Sequence, residues 1–174
     1  MLTRSYSARW VLPLLALVLF GSQQGCRAIS FDRDWQRSAL TAATAPSPTA
    51  GPDLAGKWEG TWHSEGTGHT GRLRAIMEQP SASNAEQGVY VARFDAIWGG
   101  IFRFGETIRL NTHPTPPTTA QPAKLTFDDT HDLGWLAGGK YQFSGEATQD
   151  RFTCHYKSGA DHGTFEMKRV KIKD

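Results

Sequence analysis

The chain has 174 residues, with 19 Lys and Arg against 17 Asp and Glu and a formal net charge of +2. This near balance lacks the strong basic excess typical of nucleic-acid binding, so we expect no nucleic-acid partner. Two cysteines exclude a disulfide-rich scaffold.

The first predicted element is a secretion signal over residues 1–25. Arg4 and Arg9 give it a basic start, and an almost unbroken apolar run follows from Val11 to Phe20. The run is shorter than the roughly 20 apolar residues that span a bilayer, but its length is usual for the core of a signal peptide. We therefore expect export to the cell envelope.

The end of this segment, Gly25-Cys26, resembles the cleavage site of bacterial lipoproteins, in which a small residue precedes a lipidated cysteine. Gln23 stands where that motif usually has an aliphatic residue. The resemblance implies that Cys26 is acylated, becomes the mature N-terminus and anchors the protein to a membrane. Ordinary cleavage after Ala28, which would leave Ile29 first, is the alternative.

Residues 26–53 are predicted to form a flexible tether. Its second half, 41–53, is rich in Ala, Thr, Pro and Gly and has too little apolar bulk to offset the entropy of ordering. The one element expected in this range is a short helical turn around Trp35. The folded domain then covers residues 54–174, a length of about 120 residues that suits a single core.

Within that domain apolar and polar side chains alternate with a period of two, and glycine, proline and polar clusters interrupt them. This alternation indicates antiparallel strands, and we find no helical period. The predicted strands cover residues 57–63, 72–78, 89–98, a stretch that ends near 110, 124–128, 133–137, 139–148, 151–157 and 163–170.

Three connections between these strands are predicted from composition. Gly99-Gly100 supplies the positive φ of a tight reversal. A proline-rich run predicts a loop over residues 111–122, and the acidic stretch 128–132 predicts a solvated turn.

The fold class that follows is all-β: a single antiparallel meander of about eight strands that closes into a small barrel. A β-sandwich is the alternative. The motif Gly56-Lys57-Trp58 at the start of the first strand resembles the opening of the calycins, the lipocalin-like and avidin-like up-and-down barrels. That resemblance implies that Arg169 in the last strand packs over Trp58 and closes the barrel.

The predicted inward face is rich in aromatic rings, and we favour a packed interior over a hollow one because large and small side chains alternate. If a pocket exists, it would hold a small apolar ligand. Cys154 is predicted to be a buried small hydrophobe. The candidate pocket residues are Trp58, Trp62, Tyr90, Phe94, Tyr141 and Tyr156.

Known enzyme motifs are missing from the sequence. His63, Glu65 and His69 are candidates for a metal site, although such a site needs three or four ligands at fixed spacing. His155 and His162 near Asp161 are candidates for ligating haem, as a histidine does in the barrels similar to nitrobindin. We expect Asp161 to brace its turn instead, and we expect no cofactor.

These observations predict an exported, lipid-anchored envelope protein whose barrel has a non-catalytic binding or structural role. A carrier of a small apolar ligand or haem is the first alternative. A metal-dependent enzyme is the second.

Overall fold

The computed structural model describes residues 30–38, 52–79, 88–100, 102–133 and 139–171. The predicted signal segment and the lipidation site Cys26 lie outside the described residues. Among the residues that are described, no helix has both the length and the apolar character needed to cross a membrane.

Eight antiparallel strands form one closed barrel in which each strand pairs with the next and the last pairs with the first. This confirms the all-β meander and its closure, and it rules out the sandwich. The strands are β1 (Gly56–Ser64), β2 (Thr70–Glu78), β3 (Val89–Trp98), β4 (Phe102–Thr115), β5 (Lys124–Asp132), β6 (Lys140–Ala147), β7 (Arg151–Lys157) and β8 (His162–Arg169).

The end of the barrel where β1 begins and β8 ends is sealed, and we call it the closed end. Leu54 is fully buried there and its carbonyl accepts a hydrogen bond from the Trp58 indole at 2.9 Å. The Arg169 guanidinium lies 4.5 Å from the centroid of the Trp58 ring and donates to the carbonyls of Asp53 and Ala55. The pair implied by the calycin resemblance is thus in contact. We call the opposite end the rim end.

Aromatic rings in contact fill the interior from the closed end towards the rim end. Phe152 lies at the centre, with its ring centroid 6.2 Å from Trp58, 6.3 Å from Phe94 and 5.1 Å from Phe127. Phe165 continues the chain of rings, 5.7 Å from Phe94. Further towards the rim, rings touch in the pairs Phe143–Phe165, Tyr156–Phe165, Tyr141–Phe143 and Tyr141–Tyr156.

Inward-facing glycines make room for these rings. A Cβ on Gly145 would lie 2.8 Å from Cζ of Phe127, and a Cβ on Gly163 would lie 2.8 Å from the Tyr156 hydroxyl. Such contacts are closer than packed atoms allow, so the small residues complement the rings and do not leave empty space.

The β4–β5 contact differs from the other strand pairs. Its backbone ladder runs from Thr112 opposite Phe127 to Thr115 opposite Lys124. Beyond this ladder, towards the rim end, side chains of β5 bind the backbone of β4. Asp129 accepts hydrogen bonds from the backbone N–H and the side-chain amide of Asn111 at 2.9 and 3.0 Å.

His131 makes a similar contact two residues further along β5. Its Nε2 lies 3.0 Å from the carbonyl of Arg109, and because a carbonyl only accepts, Nε2 is the protonated nitrogen. We call this part of the wall the β4–β5 seam, defined by Asn111, Arg109, Asp129 and His131.

Two predicted connections are wrong because part of each lies in a strand. The solvated turn predicted over residues 128–132 is part of β5, whose backbone pairs with β6 as far as Asp132 opposite Lys140. The loop predicted from residue 111 begins later, since β4 continues to Thr115. The strand predicted over 133–137 lies largely outside the described residues, whereas β3 matches its prediction at both ends.

A helix over residues 30–37, which we call α1, lies within the range predicted as a tether. It contains the helical turn expected around Trp35. Phe31 and Trp35 are four residues apart, so they lie on the same face of the helix, and their rings stack with centroids 5.8 Å apart. Phe31 is 6 % exposed, which shows that this face is packed against the barrel.

Candidate functional site

The six candidate pocket residues lie at different heights of the barrel. Trp58 and Tyr90 are near the closed end, where the Tyr90 hydroxyl donates to the carboxylate of Asp53 and accepts from Gln79. Phe94 packs among the central rings. Trp62, Tyr141 and Tyr156 lie towards the rim end.

A cluster of rings at the rim end is the first candidate site. Trp98 and Phe102 flank the β3–β4 hairpin, and their rings stack with centroids 5.3 Å apart. The hairpin is tight because Gly99 and Gly100 have φ values of 59° and 77°. Phe102 is 55 % exposed and is the most exposed large hydrophobic side chain in the described part of the chain. We call Trp62, Trp98 and Phe102 the rim rings.

Trp98 borders a shallow groove, and Trp62 carries a donor that has no partner among the described residues. The groove has a volume of about 490 Å³ and runs along the rim side of β2 and β3 beside Trp98. Trp62 stands edge-on to Trp98, with centroids 6.0 Å apart and an interplanar angle of 88°. The buried Nε1 of Trp62 has no hydrogen-bond acceptor among the described residues. An acceptor from outside these residues would satisfy it.

The second candidate site is the outer face of β1–β4, which α1 covers. Arg74 projects outward from β2, and its guanidinium lies 5.1 Å from the Phe31 ring centroid and 5.2 Å from that of Trp35. The Lys57 ammonium lies 5.4 Å from the Trp35 ring. Cations placed over ring faces at this distance are attracted by the ring quadrupole, so α1 is bound through its aromatic side.

Ion pairs bind the acidic side of α1 to the same face. Asp32 accepts from Arg74 at 2.6 Å and from Arg103 at 2.7 and 2.9 Å. Asp95, only 2 % exposed, also accepts from Arg74 at 2.8 Å and from Arg103. Each of the two guanidiniums therefore contacts both carboxylates, and one of these carboxylates, that of Asp32, belongs to the helix. We call Asp32, Arg74, Asp95 and Arg103 the clasp cluster.

The clasp cluster shifts the acid–base properties of its members. Hydrogen bonds from Arg103 lower the pKa of the Asp32 carboxyl well below its usual range, with Arg74 acting in the same direction. The carboxylate of Asp32 in turn raises the pKa of Arg103. A second helix carboxylate, Asp34, accepts from Arg93 at 2.6 Å, and this contact lowers the pKa of Asp34.

The clasp cluster predicts a pH dependence for the effect of Asp32→Asn. Because the folded pKa of Asp32 lies below its unfolded value of about 3.9, its ionised form stabilises the docked state in full above about pH 4. The contribution is lost as the pH falls through the lowered folded pKa. Urea unfolding of wild type and Asp32→Asn should show a constant difference between pH 5 and 8 that shrinks below about pH 4. A difference that grows below pH 4 would contradict this account.

The metal candidates do not converge. His63, Glu65 and His69 are all exposed, and the Glu65 carboxylate lies 3.7 Å from Nε2 of His162 instead of pairing with the other two. Within the described ranges no three His, Cys, Asp or Glu side chains form a group able to hold a metal ion.

The haem candidates do not fit a barrel site. His155 and His162 are exposed, and each neighbours an inward residue on its strand, so both lie on the outer face. Asp161 braces its turn as expected: it accepts from the Ser64 hydroxyl at 2.6 Å and from the His162 amide at 2.8 Å. It also accepts from Tyr156, whose pKa is raised mainly by burial and then by Asp161.

Cys154 is 2 % exposed and faces the interior, as predicted. Burial raises the pKa of its thiol to about 12, which leaves almost no thiolate at neutral pH. We expect no reaction with a disulfide reagent such as dithionitrobenzoate at pH 8 in the folded protein, and full reaction in denaturant. Rapid reaction of the folded protein at Cys154, mapped by peptide mass, would contradict the burial.

No family model, curated protein or solved structure matches the chain. The interpretation of both candidate sites therefore depends on their geometry.

The clasp cluster was missed at the level of sequence, although a signal for it exists. Arg74 and Asp95 occupy outward positions of predicted strands, where charged side chains are normally solvated. Phe31 and Trp35 form an apolar pair at helical spacing next to Asp32, which indicates a helix that buries one face. A buried helix face needs a partner surface, and in this protein the polar outer face of the barrel supplies it.

Proposed function

We propose that this is an exported protein of the cell envelope, held on a membrane through a lipidated Cys26, whose barrel is a non-catalytic binding or structural module. The observation that carries the non-catalytic role is the filled interior. A barrel whose centre is occupied by Phe94, Phe127, Phe152 and Phe165 has little space for a substrate.

The titratable groups inside the barrel support the same proposal. The Cys154 thiol is buried and protonated, and the Tyr90 pKa is raised mainly by burial. Arg169 is engaged with backbone carbonyls at the closed end. A general acid or base works best with a pKa near the operating pH, and these groups do not meet that condition.

The anchor is tested on the protein isolated from its own membranes. Mass spectrometry of the N-terminal peptide should find an acylated Cys26 as the first residue. An unmodified chain that begins at Ile29 would overturn the anchor. The non-catalytic, filled barrel is tested separately by titration with an apolar dye and with haem, which should give neither a saturable change of tryptophan fluorescence nor a saturable shift of the haem Soret band.

A carrier of a small ligand at the rim end is the second candidate, and the unpartnered Nε1 of Trp62 favours it. A ligand with one acceptor could pair with this donor and lie against Trp98. If the titration does saturate, Trp62→Phe should weaken binding about tenfold or more, because it keeps a ring and removes the N–H. An unchanged affinity would move the ligand away from Trp62.

A further inference from the structure

We propose that the docked helix α1 holds the rim end of the barrel against the membrane, so that Trp98 and Phe102 contact the lipid surface in which Cys26 is anchored. This inference depends on the proposed lipid anchor. It adds the face of the barrel that meets the membrane and the residues that make the contact.

The first step is the direction of α1 across the barrel. Its early residue Asp32 pairs with Arg103, which is the second residue of β4 and lies next to Phe102 at the rim end. Its later residue Trp35 lies beside Lys57, the second residue of β1 at the closed end. Asp32 also pairs with Arg74 in the middle of β2, so the helix starts on the rim half of the barrel and its later residues lie nearer the closed end.

The second step is the length of chain between the anchor and the helix. Ser30 is the fourth residue after Cys26, and four residues in any conformation span at most about 14 Å. With α1 docked, the acylated end must lie within about 20 Å of Asp32, whose partner Arg103 adjoins the rim. With α1 released, the 28 residues from Cys26 to Leu54 would reach about 95 Å and would impose no orientation.

The third step is the chemistry of the surface that is placed there. Phe102 is 55 % exposed and stacks on Trp98 at the tip of a tight hairpin, so both rings project at the edge of the barrel. Tryptophan is enriched at the level of the lipid headgroups, and phenylalanine occurs with it on the apolar face of segments that lie in the membrane interface. Stable attachment to a membrane commonly combines an acyl chain with a second contact, and the rim rings supply one.

A photocrosslinking experiment on the full chain in membranes tests the proposal. Benzoylphenylalanine replaces Phe102 in one protein and replaces Ala120, an exposed residue in the closed-end loop between β4 and β5, in the other. After irradiation, adducts are identified by mass, and acylation of Cys26 is measured in the same samples. Lipid adducts should form at position 102 with at least tenfold higher yield than at position 120.

A second pair of variants tests the role of the helix. Asp32→Asn combined with Trp35→Ala removes the pairs of Asp32 with Arg74 and Arg103 and the contacts of the Trp35 ring, so α1 keeps only Phe31 and the Asp34–Arg93 pair. We expect the lipid adduct at position 102 to fall severalfold. Glu146→Gln, which removes one carboxylate from a surface pair with Lys124, is the matched control and should leave the adduct unchanged. An unchanged yield in the double variant would overturn the role of α1.

The remaining outcomes separate this proposal from the proposed function. If Cys26 is acylated but position 102 gives no lipid adduct, gives only protein adducts, or crosslinks no better than position 120, the orientation is wrong and the anchor stands. If Cys26 is not acylated, the proposed anchor is wrong and the orientation falls with it.

Discussion

Phe152→Ala should lower the free energy of unfolding by about 3–5 kcal/mol, the largest effect expected of any single change in the barrel. The ring is 1 % exposed and contacts Trp58, Phe94 and Phe127. Removal of the ring leaves a cavity that its rigid neighbours cannot close. The lost free energy of unfolding therefore includes the van der Waals contacts of the ring as well as its transfer from water. Urea unfolding followed by circular dichroism measures the change.

Phe102→Ala is the matched control for that measurement, because it removes the same side chain from an exposed position. We expect it to change the free energy of unfolding by less than about 1 kcal/mol. If both variants lost the same amount, the aromatic interior would not be the main source of stability.

Asp95→Asn should lower the free energy of unfolding by about 3 kcal/mol. The reason is that Arg74 and Arg103 each pair with two carboxylates, Asp32 and Asp95, and the substitution removes the buried one. Asp95 is 2 % exposed, and its partners Arg74 and Arg103 are 13 % and 23 % exposed at their side chains. The amide is close in size to the carboxylate, so the expected loss is electrostatic and not a matter of packing. Denaturant unfolding at pH 7 gives the value.

The control for this variant is Glu146→Gln, which removes the same charge from an exposed pair with Lys124. Exposed pairs contribute little, and we expect a change within about 0.5 kcal/mol. Equal losses in the two variants would mean that the clasp cluster is no more than a surface ion pair.

The barrel could be predicted because its pattern is local. Alternation of Tyr90, Phe94 and Trp98 with polar residues defined β3 at both ends, and Gly99-Gly100 marked the reversal after it. A meander also pairs neighbouring strands, so strands taken in chain order predict every pairing except that of β1 with β8. This last contact, which closes the barrel, is the one for which local patterns are not sufficient.

The clasp cluster could not be predicted in the same way, because its contacts join distant parts of the chain. Asp32 pairs with Arg74, which is 42 residues away, and with Arg103, which is 71 residues away. Local patterns reveal that a residue is charged and faces outward, but they do not reveal what covers it. The turn predicted around Asp129 is wrong for a related reason, since the polar side chains of this stretch do not reveal that its backbone pairs with β6.

The β4–β5 seam affects where the barrel wall can open locally. At Asn111 and Arg109 the strands are joined by an aspartate and a histidine side chain, which are longer and less constrained than a backbone ladder. Side-chain links of this kind open at lower cost than consecutive ladder bonds, so we expect local opening of the barrel to begin at the β4–β5 seam. The barrel is closed all round, but its strands are held together least firmly at the β4–β5 seam.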